Sequence, residues 1–281
     1  LQKFEDQERK PERMKVVEKT IASRSGELFD CEDALVITKE FIAVIDGSTS
    51  KYPTLGKVTP GKLIAEELSE AVKALPQRAT CDEAIELFSD RVQLQSATRS
   101  NENNETATAS IVVLSCFRRE IWRVGDCNFR VNNKIFNQSR KLEQHIAAVR
   151  AAYNQVALFS GSSVGELMKK DLGRELVLPL LRNQSVFMNK ATDSPFSFGA
   201  INGAFVPKIH RETVVLPNEP CDVVLCSDGY PKTLATLEAS ERYLEKILQE
   251  DPLCISKFFA TKGMKIGSRS FDDRTYIRVR V

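Results

Sequence analysis

Three segments of the chain run an apolar strand into a carboxylate: FIAVIDG reaches Asp46, WRVGD reaches Asp126 and VVLCSDG reaches Asp228. Two acidic pairs open strands instead, Glu32 and Asp33 ahead of ALVITK, and Asp272 and Asp273 ahead of RTYIRVRV. Taken singly, Asp followed by Gly is turn chemistry, because Asp bonds its own backbone and Gly accepts a positive φ. Taken as a set, the carboxylates meet at one rim if two sheets stack and hairpin-related ends coincide. Within ~4–6 Å of one another they resist ionising unless a cation compensates. A hard divalent ion suits that need: Mg²⁺ or Mn²⁺ takes oxygen ligands and is held by a few carboxylates plus water. The two histidines do not compete for the role, since His145 falls in a helical stretch and His210 in a loop, both far in sequence from the acids.

The elements that must position these residues are short and mostly hairpin-linked. MKVVEKTIA (14–22), ALVITK (34–39) and FIAVID (41–46) read as strands, with Lys39 and Glu40 at the tip of the last hairpin. A helix follows, with Thr59 as N-cap, Pro60 at its first position, a stripe of Ile64, Leu68, Val72 and Leu75, and Pro76 as the stop. A second helix starts at the Thr80 to Glu83 capping box. After the polar loop SNENNET come ATASIVVLSCF, REIWRV and CNFRV as strands. The stretch from Leu142 to Asn189 turns helical, with a Ser163 to Glu166 capping box and a break at Pro179. FGAINGAFVP, ETVVLP and CDVVLCSDG return to strand, TLEASERYLEKILQE and DPLCISKFFATKG read as helices, and SFDDRTYIRVRV closes the chain as a strand. That order is α+β rather than a regular βαβ alternation, and no linker divides it. Residues 1–13 read as an N-terminal arm, too charged for a secretory signal, and 14–281 as one domain.

Composition narrows the function classes. Forty Lys and Arg against 38 Asp and Glu leave a formal charge of +2, no global field for nucleic acid or an anionic membrane. No run approaches the ~20 apolar residues of a membrane helix. The seven cysteines form no CxxC pair and sit mostly in apolar runs, which predicts reduced core thiols and a cytoplasmic compartment rather than a disulfide frame or a zinc site. Cys127 and Cys226, though close in sequence to the acids, read as small core hydrophobes.

CEDALV, FIAVIDGSTS, ETATASIVVL, EIWRVGDCNFRV, DVVLCSDGY and SFDDRTYIRV, in that order, resemble the signatures of the type 2C metal-dependent protein phosphatases. The resemblance implies a four-layer α/β/β/α sandwich of two mostly antiparallel sheets flanked by helices, with two Mg²⁺ or Mn²⁺ ions at one end. It implies that Asp46 bridges both ions, that the Gly47 carbonyl binds one, and that Asp228 and Asp272 complete the shell of the other. Glu32 and Asp33 are implied to hold metal-bound waters, with Asp33 orienting or deprotonating the nucleophile. The implied activity is hydrolysis of phosphoserine and phosphothreonine in protein substrates.

The chain departs from that pattern in four places. Ser48 stands where many relatives place a His general acid. Leu28 and Phe29 occupy the usual place of a phosphate-binding Arg, which leaves Arg24 nearest, with Lys51 and Lys57 as loop alternatives. Lys232 replaces a further Asp, so Asp126 is expected to hold at most a weak third ion, and Lys232 to offer its charge to the substrate phosphate. The helical middle, 142–189, replaces a different insertion and is expected to set substrate choice together with the 48–60 loop. Two other readings stay open: a phosphatase of a small phosphorylated metabolite, and a pseudophosphatase scaffold that binds a protein partner.

Overall fold

The computed structural model describes residues 14–52, 58–97 and 107–281; the N-terminal arm, the SNENNET loop and Lys57 lie outside the described residues. Ten strands form two five-stranded antiparallel sheets among these residues. The first sheet contains β1 (Lys15–Ala22), β10 (Arg274–Arg280), β9 (Asp222–Cys226), β6 (Asn128–Val131) and β7 (Lys134–Phe136), in that order. The second contains β2 (Asp33–Ile37), β3 (Phe41–Gly47), β4 (Ala109–Ser115), β5 (Glu120–Val124) and β8 (Glu212–Val215).

Alternation along the strands divides the core into layers. On β3 and β4, Ile42, Val44, Val112 and Leu114 face the other sheet and pack on Val223, Leu225, Ile277 and Val279. The opposite parity, Phe41, Ala43, Ile45, Ile111 and Val113, packs under α1 (Pro60–Lys73) and α2 (Cys81–Ala97). Thr59 caps α1 by accepting from the Lys62 N–H at 3.2 Å, and Thr80 and Glu83 close the expected box before α2. On the outer face of the first sheet, Val224, Cys226 and Tyr276 meet Leu244 of α6 (Leu237–Glu250). The result is the expected sandwich with helices outside both sheets.

The middle of the chain forms α3 (Lys141–Phe159), α4 (Val164–Lys169) and α5 (Leu172–Asn183). Pro179 does not break α5 but sits inside it on its exposed side. Two other expectations are corrected. FGAINGAFVP forms no strand, only bridges of Ala109 with Ile201 and Met188 with Phe198, because the Asn189 side chain takes both backbone groups of Ala200. DPLCISKFFATKG is not a helix. The Asp251 carboxylate accepts N–H bonds from Ile255, Ser256, Lys257 and Phe258, donors that a helix would direct to carbonyls. The Arg150 guanidinium of α3, fully buried, takes the carbonyls of Leu253, Cys254 and Ala260 from the other side. An anion thus gathers the N–H groups and a cation the C=O groups of one loop, and Cys254 turns left-handed between them at φ 52°.

Candidate metal centre and active site

Antiparallel pairing brings the ends of β3, β5 and β9 to the same rim as the starts of β2, β4, β6 and β10. Asp46 shares the parity of Ile42 and Val44, so it points toward the facing sheet, directly across from Asp33 on one side and Ser110 on the other. Asp126 occupies the bend between β5 and β6, where Gly125 has φ 92° and a Cβ would stand 2.2 Å from Ser110 Oγ. Asp228 follows β9. Asp46, Asp126 and Asp228 each present a carboxylate oxygen within 4.8 Å of the others. They line a cavity of about 80 Å³ whose wall also includes Asp272.

The close approach has an electrostatic cost. Burial, and then Asp33, Asp126 and Asp272, hold the Asp46 carboxyl well above the usual carboxylate range. Burial, and then Asp46, Asp126 and Asp272, do the same to Asp228. Asp33 is pushed up by burial as well, against the bonds its Oδ2 accepts from Ser227 Oγ at 2.7 Å and Thr275 Oγ1 at 2.9 Å. Beside Asp46 and Gly47 at the end of β3, Glu32 is 1% exposed and among the described residues neither of its carboxylate oxygens receives a hydrogen bond. Its nearest cation is Arg24, with Nη2 at 3.5 Å. Crowded carboxylates with orphaned oxygens behind them are a donor set that a hard divalent ion fits.

Asp126 and Asp272 already have protein cations. Arg140 reaches Asp126 through Nη2 and Nε, each at 3.1 Å, bonds Ser110 Oγ at 3.0 Å and Glu143 Oε1 at 3.1 Å, and stacks on Phe198. Lys262 Nζ donates to Asp272 Oδ1 at 2.6 Å and to Thr49 Oγ1 at 3.1 Å. Asp273 is structural: its oxygens accept from the backbone N–H groups of Arg24 and Glu32, each at 2.8 Å, and tie the chain after β1 and before β2 to the start of β10.

The residues singled out in the sequence are distributed unevenly. Asp46, Asp126, Asp228, Asp272, Ser48 and Lys51 line the cavity. Arg24 sits behind it, donating Nη1 to Thr49 Oγ1 at 2.8 Å. Lys232 is exposed, with its ammonium over the Tyr243 ring, and is not among the lining residues of this cavity or of a larger neighbouring one of about 310 Å³. Arg140, Glu143, Arg174 and Lys262 line the site without having been singled out, because they lie in helical or loop segments with no acidic motif. The seven thiols are free; burial holds Cys127 well above its usual value and lifts Cys226 to about 12, as core residues require.

No helix among the described residues is long and apolar enough to cross a membrane. No family model matches the chain, and no curated protein matches its sequence. Solved structures do share its fold. The catalytic domain of the serine/threonine protein phosphatase PstP, in complex with two manganese ions, superposes with a TM-score of 0.50 at 12% identity, covering 96% of this chain and 99% of that one. The Mycobacterium tuberculosis serine/threonine phosphatase PstP/Ppp gives 0.49 at 11%, covering 96% and 99%. Stp1 from Staphylococcus aureus gives 0.49 at 12%, covering 94% of each chain. At these identities the likeness is one of fold.

Proposed function

We propose that this chain, built on the fold of the bacterial serine/threonine phosphatases, is a Mg²⁺- or Mn²⁺-dependent phosphomonoester hydrolase acting on phosphoserine and phosphothreonine of cytoplasmic proteins. The observation that carries the reading is the convergence of Asp46, Asp126 and Asp228 within 4.8 Å at one rim of the sandwich. Asp46 and Asp228, with the Gly47 carbonyl and Asp272, would hold the metal, with Glu32 and Asp33 supporting its waters. A divalent ion bound there supplies an activated water near neutral pH and neutralises charge on the phosphoryl oxygens.

The protein's part is orientation and charge. Asp33 is fixed by two hydroxyl donors to Oδ2 and directly faces Asp46 across the strand pair, so its Oδ1, without a hydrogen bond among the described residues, is held ready to orient a water. Arg140 and Lys262 limit repulsion among the acids while keeping positive charge at the cavity wall. Ser48 bonds Lys51 Nζ at 2.5 Å, so the residue standing in place of the family's His anchors a cation.

A second reading, a scaffold without catalysis, is favoured by the same two ion pairs, since Lys262 on Asp272 and Arg140 on Asp126 reduce the demand for metal. A calorimetric Mn²⁺ titration beside an aryl phosphate assay separates the two. Hydrolysis is expected to need Mn²⁺ and to disappear in the folded Asp46→Asn and Asp228→Asn variants; unchanged activity in both variants overturns the metal mechanism. Turnover of a phosphopeptide panel against small phosphomonoesters decides between protein and metabolite substrates.

A further inference from the structure

Four basic side chains line the cavity over the carboxylates: Lys51, Arg140, Arg174 and Lys262. Facing them are five acids, Asp46, Asp126, Glu143, Asp228 and Asp272, a formal balance of −1. A single divalent ion turns that balance to +1. A cavity of about 80 Å³ with such walls has room for a small anion.

The four cations are not equivalent. Arg140 is committed to Asp126 and Glu143, and Lys262 to Asp272. Arg174 donates Nη1 to the Thr261 carbonyl at 2.7 Å, and among the described residues no carboxylate pairs with it. That bond leaves the guanidinium its charge and its other donors. Arg174 arrives from the first turn of α5, whose N-cap Asp171 accepts from the Arg174 N–H at 2.8 Å and also holds Arg150, so its backbone is fixed. Lys51 arrives from the opposite direction, on the loop after β3, and its ammonium is steadied by Ser48 Oγ. Arg24, the basic residue nearest in sequence to the first acidic pair, faces Glu32 and Thr49 and does not line the cavity.

We infer that Arg174 and Lys51 form the phosphoryl-binding pair of this site, the guanidinium offering a planar fork to two phosphate oxygens and the ammonium a point charge to the third. The inference rests on the phosphatase reading for its substrate, and it gives the helical middle of the chain a direct part in recognition. Arg suits paired phosphate oxygens, and Lys serves as a compact charge. Burial lowers Lys51 to about 8, with Arg140, Lys262 and Arg174 acting in the same sense and Glu143 opposing them, so it remains mostly protonated at pH 7.

The test is calorimetric titration of the Mg²⁺-loaded chain with inorganic phosphate, beside aryl phosphate kinetics, for the wild type, Arg174→Gln, Lys51→Gln and Arg174→Lys. Each Gln variant is expected to weaken phosphate at least tenfold and to raise KM by a similar factor, with kcat changed less than about threefold and Mg²⁺ affinity unchanged. Arg174→Lys is expected to recover part of the loss, which a merely structural role for the side chain would not produce. Phosphate affinity within twofold of wild type in both Gln variants overturns the inference, and hydrolysis by the wild type in that case leaves the phosphatase reading standing. Phosphate binding that the variants weaken, in a chain that hydrolyses nothing, upholds the inference and sinks the catalytic reading. A wild type that neither binds phosphate nor hydrolyses overturns both.

Discussion

Replacing Lys262 by Met asks how strongly a protein cation competes with a divalent ion at the proposed metal site. Lys262 Nζ lies 2.6 Å from Asp272 Oδ1, and the two side chains are 23% and 17% exposed. A divalent ion liganded by Asp272 at ~2.1 Å would stand within about 5 Å of that ammonium. Charges of +2 and +1 at ~5 Å repel by ~1.7 kcal/mol under water-like screening and by about four times that at an effective dielectric of ~20. Because both groups are partly exposed and solvent screens the pair, the lower figure is the appropriate one. Removing the ammonium is therefore expected to tighten Mn²⁺ binding by roughly ten- to twentyfold, while the lost ion pair costs at most about 1 kcal/mol of folding stability. Lys262→Arg, which keeps the charge, should leave the affinity near wild type. The assay is Mn²⁺ calorimetry at pH 7 in the absence of phosphate. An affinity for Lys262→Met within twofold of wild type, or weaker, refutes the reasoning, since it would mean that Asp272 contributes nothing to the ion.

Two further substitutions probe how the fold holds the site. Gly47→Ala places a Cβ 2.1 Å from the Gly61 carbonyl oxygen and 2.6 Å from that of Glu32, both backbone atoms, so a loss of about 3 kcal/mol or more is expected in urea unfolding; a loss under about 1 kcal/mol would show that β3 and α1 separate easily. Arg150→Met breaks a buried pair with Asp171 and leaves the Leu253, Cys254 and Ala260 carbonyls without their donor, an expected cost of about 3–5 kcal/mol with faster amide exchange across 251–263; protection there equal to wild type would refute the role given to Arg150.

The strands that carry the acids were legible because each is a short, mostly apolar run, buried on both faces, that ends at an Asp next to a Gly. Asp46, Asp126 and Asp228 could be read as a rim for that reason, and the caps at Thr59, Thr80 and Ser163 mark helix starts by side-chain chemistry alone. The segment from Asp251 to Gly263 misled because its apolar spacing imitates a helix, while its fold is decided by Arg150, about a hundred residues away. No local pattern records that contact. The same distance effect hid Arg140 and Lys262: a basic residue before a helix and another in a loop are ordinary on any surface, and only the tertiary fold brings them to the carboxylates.

That long-range dependence also bears on how the basic wall of the cavity is built. Arg150 on α3 and Asp171 at the start of α5 share an ion pair, and from it hang both the 251–263 loop and the Arg174 backbone. The loop delivers Thr261 and Lys262 to the cavity, α5 delivers Arg174, and the turn before α3 delivers Arg140. One buried charge pair therefore positions side chains on two segments, neither of which belongs to a sheet. The acids are constrained by strand register, where a shift of one residue would turn Asp46 from the facing sheet toward α1. The basic wall is not set by strand register, since Lys51, Arg140 and Lys262 come from loops and Arg174 from α5, all of them partly buried. On a scaffold divided in this way, the carboxylate rim is fixed by the sheets, and the basic wall of the cavity is set by α3, α5 and the loop they support.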